Sequence, residues 1–387
     1  MRVLVITGLF PNRAEPVWGV HVFNNVRALS ALCEVRVIAP VAHIPGLGLR
    51  RGRDTAVPER DTIAGIPVVY PRWPAIPLLA RPLHPRLLAA ALAPAARTII
   101  DEHGADVILS YFAYPYGVAA LATARHHRLP AVVSCRGSDI NRMARAGMQR
   151  RRIAAALCAS SRVIAVSRAL AEQIEALGVN PARLHVVPNG IDTQRFAPAD
   201  RGAARRELGR DENRTLVACV SRLSPEKGID VLLGAWPLLA RTDIDLVLLG
   251  DGPERRRLEA LAASLGISER VHFAGATPHA VIPRWLAASD VAVLPSRMEG
   301  YPNAVVEALA CGRPVVASRV GGVPEIIGGD ELGVLVPPGD AAELAAGLNA
   351  ALARSWTAET LSAAVSGRRW SAVASETLAV LEGALAA

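Results

Sequence analysis

The sequence predicts an α/β protein of two domains, each a doubly wound parallel sheet covered by helices on both faces. Three observations carry this. Short β-branched runs alternate with Ala- and Leu-rich segments from one end of the 387 residues to the other, and runs apolar on both faces suit parallel strands buried between helices. A chain of this length with 51% hydrophobic content can bury two or three sizeable cores. The charge also changes sign partway. Residues 1–195 carry 24 arginines against 12 acids, whereas residues 196–387 carry 19 basic residues against 23 acids.

In chain order, the front-half runs are RVLVIT, EVRVIAP, IPVVYP, DVILS, PAVVSC, RVIAVS and RLHVVP. The back-half runs are TLVACVS, DIDLVLLG, RVHFAG, DVAVLP and RPVVAS. Each reads as a strand. Between them, LLAAALAPAARTII reads as an Ala-rich helix interrupted near Pro94. The stretch RFAPADRGAARRELGRDENR is charged, punctuated by Pro and Gly, and lies where the charge changes sign. It marks the break between a domain over residues 1–195 and one that begins at 196. Ligands of such sheets bind at the carboxyl ends of the strands, so a ligand of both domains is expected in a cleft between them.

Composition narrows the function classes. Five cysteines (33, 135, 158, 219 and 311) are odd in number and have no CxxC spacing, which argues against a disulfide framework or a zinc site and for a reducing compartment. The opening apolar run is too short for a signal peptide before Pro11, Asn12 and Arg13 intervene. No run reaches the roughly 18 apolar residues that span a bilayer. The expected location is the cytoplasm, with the protein soluble or peripheral at the inner face of the membrane. The basic front half favours an anionic partner, phosphorylated or membranous. Nucleic acid is not expected, because no recognition motif is present and aromatics do not punctuate the basic stretches.

Among 42 arginines there is one lysine, Lys227, in SRLSPEKGID. A strand ends near Ser221, a turn holds Pro225 and Gly228, and a helix is expected from Ile229. Arg222 and Lys227 flank this turn, where two cations and a helix N-terminus make a diphosphate site; the alternative is a solvated basic turn. The segment DVAVLPSRMEGYPNAVVEALACGRPVVAS parses as strand, loop, helix, strand, with Pro302 at the first helical position and Gly312 just past the last turn. Glu299 falls in the loop and Glu307 inside the apolar helix. A carboxylate there requires a partner. Either it meets the hydroxyl pairs of sugars or it forms a structural salt bridge with an arginine.

EGYPNAVVEALACGRPVVAS resembles the E-x7-E signature of retaining GT-B glycosyltransferases, in particular glycosyltransferase family 4, group 1. VSRLSPEKGIDVLL, LLGDGPERRRLE, RVHFAGATPH, VVPNGIDTQRF and EPVWGVHVFNNVRALS resemble that family's segments in the family's order, and RPVVASRVGGVPEII continues the match. The resemblance implies the GT-B fold, two Rossmann-like domains facing across a cleft: an acceptor-binding domain over 1–195, a nucleotide-sugar domain over 196–369, and a terminal helix over 370–387 that crosses back to the front. It implies transfer of a sugar from a nucleoside diphosphate sugar to an acceptor hydroxyl with the anomeric configuration kept, in polysaccharide, glycolipid or other glycoconjugate biosynthesis. Arg222 and Lys227 would neutralise the leaving diphosphate, Glu299 would bind the donor sugar and Glu307 the ribose. Backbone N–H groups around Gly300 to Asn303, the stretch that includes Tyr301 and Pro302, would contact sugar and phosphate at a helix N-terminus. Gly19 would admit the diphosphate from the front domain. No metal or cofactor is implied, and the DID of Asp243–Asp245 reads as the start of a strand.

One departure stands out. Many relatives carry a histidine before Gly where this chain has CRGSDIN, so a histidine's role is not carried over to Arg136. The match is to the RGSDIN type found among polysaccharide enzymes; a guanidinium cannot act as a base at neutral pH, and Arg136 is expected to bind a phosphate or the donor. Asp139 either orients Arg136, meets an acceptor hydroxyl or caps a helix starting near Ile140. His21 is a second acceptor-side candidate. NRMARAGMQRRRI, with Arg142, Arg145 and Arg152 near one helical face, and PRWPAIPLLARPLHPRLL suit either an anionic membrane or lipid diphosphate, or an ordinary solvated face. The competing functions are another GT-B activity, epimerase or phosphorylase, and a non-catalytic sugar-nucleotide-binding or membrane-recruitment protein. A dinucleotide oxidoreductase is disfavoured, since GLGLRRG misses the GxGxxG spacing.

Overall fold

The computed structural model describes residues 1–43, 57–75, 82–145 and 147–386. These form two compact units, one of Met1–Gly190 with Trp370–Ala387 and one of Ile191–Arg369. The glycine segment at 46–52 and the loop residues 76–81 lie outside the described residues.

The front unit contains β1 (Arg2–Ile6), β2 (Glu34–Ile38), β3 (Val41–His43), β4 (Arg60–Ile63), β5 (Ile66–Val69), β6 (Arg72–Pro74), β7 (Val107–Tyr111), β8 (Ala131–Cys135), β9 (Arg162–Ala165) and β10 (Leu184–Val186). Among the described residues its main sheet runs β10-β9-β8-β7-β1-β2-β5-β4. All neighbours are parallel except β4 and β5, an edge hairpin turned by Ala64 and Gly65, both at positive φ. The strand order reverses between β1 and β7, so the loops leaving those strands part there. Helix Trp370–Leu385 packs on helix Val20–Leu29, and its Val373, Ala374 and Leu381 join the core formed by Val3, Val5, Val37 and Leu109.

The back unit contains β11 (Thr215–Val220), β12 (Ile244–Leu249), β13 (Val271–Gly275), β14 (Val291–Leu294), β15 (Val315–Ser318) and β16 (Gly333–Val336). They form an all-parallel sheet in the order β13-β12-β11-β14-β15-β16. Alternate residues of β11 serve opposite faces. Leu216 and Ala218 join one core with Val247, Ala292 and Leu309, while Val217 and Cys219 join the other with Leu232, Leu248 and Val293. This two-sided burial is why the strands read as continuous apolar runs rather than alternating ones. The order reverses between β11 and β14, which opens a crevice at their carboxyl ends.

Every run named from the sequence is a strand. Among the described residues, four strands lie outside those runs: β3, β4, β6 and β16. Three are short or polar edge pieces, and β16 has only four residues. Helix His84–His103 runs unbroken through Pro94, contrary to the expected interruption. Pro94 lies on the exposed side, where water can meet the carbonyl that its ring leaves without a donor. Pro302 is the residue before helix Asn303–Ala310 rather than its first, and Gly312 follows the last turn at positive φ. Ile191 is buried in the back core, so the chain enters that unit before the charged stretch begins, and Phe196 within that stretch is buried there too.

That charged stretch is itself ordered. Asp200 accepts from Ala203 N–H and caps helix Arg201–Glu207. Arg205, 4% exposed, donates to Asp290 Oδ2 at 2.6 Å and to the carbonyls of Ala288 and Glu212, each at 2.8 Å. Asp290 also accepts from Leu216 N–H at 2.8 Å, so one buried guanidinium fixes the start of β14 beside β11. Among the described residues, no helix is long and apolar enough to cross a membrane. Replacing Arg205 by Ala strands the buried Ala288 carbonyl and removes a buried counter-charge from Asp290, and is expected to cost about 2–4 kcal/mol. Calorimetry should then register a lowered midpoint for the back unit's thermal transition.

Candidate functional site

The chemistry-bearing residues of the back unit gather where its strand order reverses. The loop after β11 contains a 3-10 turn, Pro225–Lys227, followed by helix Ile229–Ala235. Gly228, at φ 63°, joins them, and a Cβ there would lie 2.1 Å from the Pro295 carbonyl oxygen in the loop after β14. Only glycine permits that approach. The two loops are also hydrogen-bonded. Arg297 N–H donates to the Glu226 carbonyl at 2.8 Å, and the Arg297 guanidinium forks onto Asp230 at 2.8 and 2.9 Å.

This stitching brings Lys227 and Glu299 together. Lys227 Nζ donates to Glu299 Oε1 at 2.6 Å, and Ser296 Oγ donates to the same oxygen at 2.7 Å. The Glu299 side chain is 8% exposed and that of Lys227 25%. The lone lysine therefore stands over a buried carboxylate at the mouth of the crevice. Beneath them burial pushes the Cys219 thiol up to about 12, leaving it protonated and inert as a nucleophile. Gly322 N–H donates to the Gly300 carbonyl at 3.0 Å, so the VGG segment braces the Glu299 loop from the other side. Arg222 is exposed, with no side-chain partner among the described residues. The helix after Lys227 has only seven residues, so the cations rather than its terminus dominate the local field.

Glu307 lies inside helix Asn303–Ala310, its side chain 7% exposed. Its partner is a histidine, not the arginine that was one expectation. His279 Nε2 lies 2.9 Å from Glu307 Oε1, and Arg195 Nη1 lies 3.3 Å from His279 Nδ1. Sequence reasoning passed over His279 and Arg195, although the first ends the segment RVHFAGATPH and the second is next to last in VVPNGIDTQRF. Gly300, Tyr301, Pro302 and Asn303 run from Glu299 into this helix. The structure thus brings together Lys227, Glu299 and the 300–303 backbone, with Glu307 one helix turn further on.

In the front unit, Gly19 precedes helix Val20–Leu29 at φ 67°, and a Cβ there would sit 2.3 Å from the Leu9 carbonyl oxygen. His21 is partly buried on that helix's first turn. Arg136 follows β8. Its guanidinium donates to Asn189 Oδ1 and lies over the Tyr111 ring, 5.7 Å from the centroid; burial lowers its affinity for its proton. Asp139 is fully buried within the short helix Ser138–Asn141 rather than at its cap. Its carboxylate accepts from the N–H groups of Ala113 at 2.8 Å, Gly137 at 2.9 Å and Arg136 at 3.1 Å. Burial raises the affinity of that carboxylate for a proton, and these three donors partly offset it. With no surface exposed it holds the loop, and it does not present itself to an acceptor.

The arginine-rich segment is not one helical face. Arg142 and Arg145 precede helix Gly147–Ala159. Arg145 donates to the Asn141 carbonyl, Arg150 to those of Ala144 and Ala176, and Arg152 to that of Pro82. These side chains tie loops down. Trp73 is buried on β6, edge-on to His84 at 5.2 Å, and serves as core. Asp243 and Asp245 pair with Arg241 and Arg214. Among the described residues no group of three His, Cys, Asp or Glu side chains is placed to hold a metal ion.

Comparisons with known proteins bear on both units. A family model described as Glycosyltransferase Family 4 matches residues 19–195, and one described as Glycosyl transferases group 1 matches residues 200–366. The D-inositol 3-phosphate glycosyltransferase of Geodermatophilus obscurus is 39% identical over 192 residues, covering 47% of this chain and 43% of that protein. The MMP alpha-(1->4)-mannosyltransferase of Mycolicibacterium hassiacum is 38% identical over 234 residues, 58% of this chain and 54% of that one. The chain spans about half the length of the curated relatives it matches. Among solved structures, the sucrose-phosphate synthase of Thermosynechococcus elongatus superposes with a TM-score of 0.83 at 21% identity over 100% of both chains. An Anabaena protein in complex with UDP and glucose gives 0.71 at 24% identity, over 99% of this chain and 97% of that one. These likenesses are of fold.

Two outcomes follow from the geometry. The fork from Arg297, with its positive charge, lowers the Asp230 proton affinity below the usual carboxylate range. Because the folded state then binds that proton more weakly than the unfolded chain, the stitch contributes fully above about pH 4 and is lost as pH falls through the lowered value. Arg297→Ala should reduce stability at pH 7 and flatten the acid limb of a Tm-against-pH curve. Asp139→Ala strands three backbone N–H groups, of which two or more stay buried. We expect a loss of about 2–4 kcal/mol in chemical denaturation, larger than for Arg136→Ala.

Proposed function

The chain belongs to the group 1 glycosyl transferases, with a Family 4 front half and the GT-B fold, and from that premise we propose that it is a retaining glycosyltransferase moving a sugar from a nucleoside diphosphate sugar to an acceptor hydroxyl in glycoconjugate biosynthesis. The observation that carries this reading is the convergence of one lysine and two buried carboxylates at the carboxyl ends of β11 and β14. A nucleotide sugar presents a diphosphate, a hexose and a ribose. In this reading Lys227 and Arg222 meet the first, Glu299 the second and Glu307 the third.

An ammonium has three donors, so Lys227 can hold Glu299 and still give hydrogen bonds to phosphate oxygens. An arginine's planar fork would suit one bidentate partner and would not share itself so compactly. Lys227 thereby links the sugar end of the donor to its leaving group. As the glycosidic bond lengthens, charge grows on the diphosphate, and a preorganised cation in a partly dehydrated crevice stabilises that charge more than water would. The N–H groups at the start of helix Asn303–Ala310 add to the same effect. The acceptor oxygen bonds to the anomeric carbon on the face that the leaving phosphate vacates, and that phosphate takes the acceptor's proton, so the protein contributes position and field in place of a general base. No resident metal or cofactor enters this account.

The acceptor in this reading carries negative charge. Supporting it are the excess of 24 arginines over 12 acids in residues 1–195 and the phosphate-bearing acceptor in the name of the Geodermatophilus relative. The same excess suits peripheral contact with an anionic membrane. Gly19 keeps by resemblance its role in the approach of the diphosphate, while Arg136 on the donor side follows from the chemistry of a guanidinium and His21 on the acceptor side from its place beside Gly19.

Thermal stabilisation by UDP, GDP and ADP tests the donor site. One of them, at about 100 times its dissociation constant, should add roughly 2.7 kcal/mol to the wild type. Lys227→Ala unbalances a buried carboxylate and lowers the ligand-free midpoint by itself, so the ligand-induced increment is the quantity to compare. It should largely vanish in Lys227→Ala. If no nucleotide shifts the wild type, or both proteins respond equally, the assignment fails.

A further inference from the structure

Glu307 needs help to be useful. Inside an apolar helix a carboxylate with free rotation would present neither oxygen reliably. Its Oε1 is held at 2.9 Å by His279 Nε2, whereas Oε2 has no hydrogen-bond partner among the described residues. On the far side of the imidazole, Arg195 Nη1 approaches Nδ1 at 3.3 Å. A guanidinium can only donate. Nδ1 is therefore the accepting nitrogen, Nε2 carries the hydrogen, and that hydrogen points at Glu307. The tautomer is set from behind, as in other sites where the group bonded to one ring nitrogen decides what the other can do.

The ring is held as well as polarised. Phe196, 2% exposed, lies against His279 with centroids 5.2 Å apart and planes at 55°. Asp192 Oδ1 accepts from the N–H groups of Gln194 and Arg195, which fixes the turn presenting Arg195 and Phe196. The NGIDTQRF segment thus acquires a purpose. Its Asp shapes a turn, its Arg sets the imidazole hydrogen, and its Phe packs the ring.

We propose that Arg195 and His279 are positioning residues that aim Glu307 Oε2 at the hydroxyl pair of the donor's ribose, and so set the discrimination between ribonucleotides and nucleotides lacking those hydroxyls. This rests on the assignment of Glu307 to the ribose made above. Neither residue touches the ligand in this account; both act through Glu307.

The test measures the affinity of the best nucleoside diphosphate and of its 2′,3′-dideoxy counterpart by titration calorimetry. Proteins compared are wild type, Glu307→Gln, His279→Ala, His279→Gln and Arg195→Ala. Wild type is expected to prefer the ribonucleotide by about tenfold or more, the size of a hydrogen bond to a charged group. His279→Ala should weaken the ribonucleotide by about tenfold and leave the dideoxy compound within about twofold. A glutamine amide can donate to Oε1 as Nε2–H does, so His279→Gln should recover most of the preference. Arg195→Ala should show an intermediate loss. If wild type binds both compounds equally, the ribose assignment of Glu307 itself falls. If Glu307→Gln loses the preference, as the ribose assignment requires, but His279→Ala keeps it in full or loses both compounds alike, the positioning role is overturned. Should His279→Ala fail to fold, Arg195→Ala and His279→Gln decide the matter by the same ratio.

Discussion

The back unit depends on one ion pair and on what makes it possible. Lys227 and Glu299 are 72 residues apart in sequence and 2.6 Å apart in space. They meet because β11 and β14 are sheet neighbours from which the chain departs in opposite directions, so the two carboxyl-end loops face each other across the gap. The approach is closer than side chains would normally allow. Gly228 lets one backbone rest on the other, and Arg297 bonds to the carbonyl and the carboxylate of the opposing segment. Remove the glycine or the stitch and the charges separate, leaving Glu299 as a buried anion without a counter-charge, which is the costlier state.

The two glutamates show how one residue type is given two characters. Glu299 is answered by an ammonium and a hydroxyl on the same oxygen, an arrangement that balances its charge. Glu307 is answered by the imidazole of His279 on one oxygen alone, which orients the carboxylate. A full cation at that position would hold the carboxylate more tightly and compete with hydroxyl donors for it. The difference suits a site in which one end handles phosphate charge and the other reads sugar hydroxyls.

The front unit organises its loops by a related device with different chemistry. Asp139 gathers three backbone N–H groups from two segments, so a single buried carboxylate replaces the hydrogen bonds that irregular backbone would otherwise seek from water. Arg136 is then held between Asn189 and the face of Tyr111. Many of the arginines in the basic segment that follows are likewise spent on carbonyl groups at loop ends.

The amino-acid sequence by itself determined the strand runs, the two-domain α/β class and the family. Those are properties of local composition: a strand buried on both faces is apolar whatever surrounds it, and Gly, Pro and polar turns punctuate it in any context. It also singled out Lys227, Glu299 and Glu307, since a lone lysine and a carboxylate in an apolar helix are anomalies visible without coordinates. Tertiary structure alone decided who partners whom. That Glu307 answers to His279, that His279 answers to Arg195, and that Asp139 turns inward to hold a loop follow from which strands lie side by side. Edge strands such as β4, and a helix that tolerates Pro94 on its wet side, escaped the sequence for the same reason. Their stability comes from neighbours and solvent that local pattern does not encode.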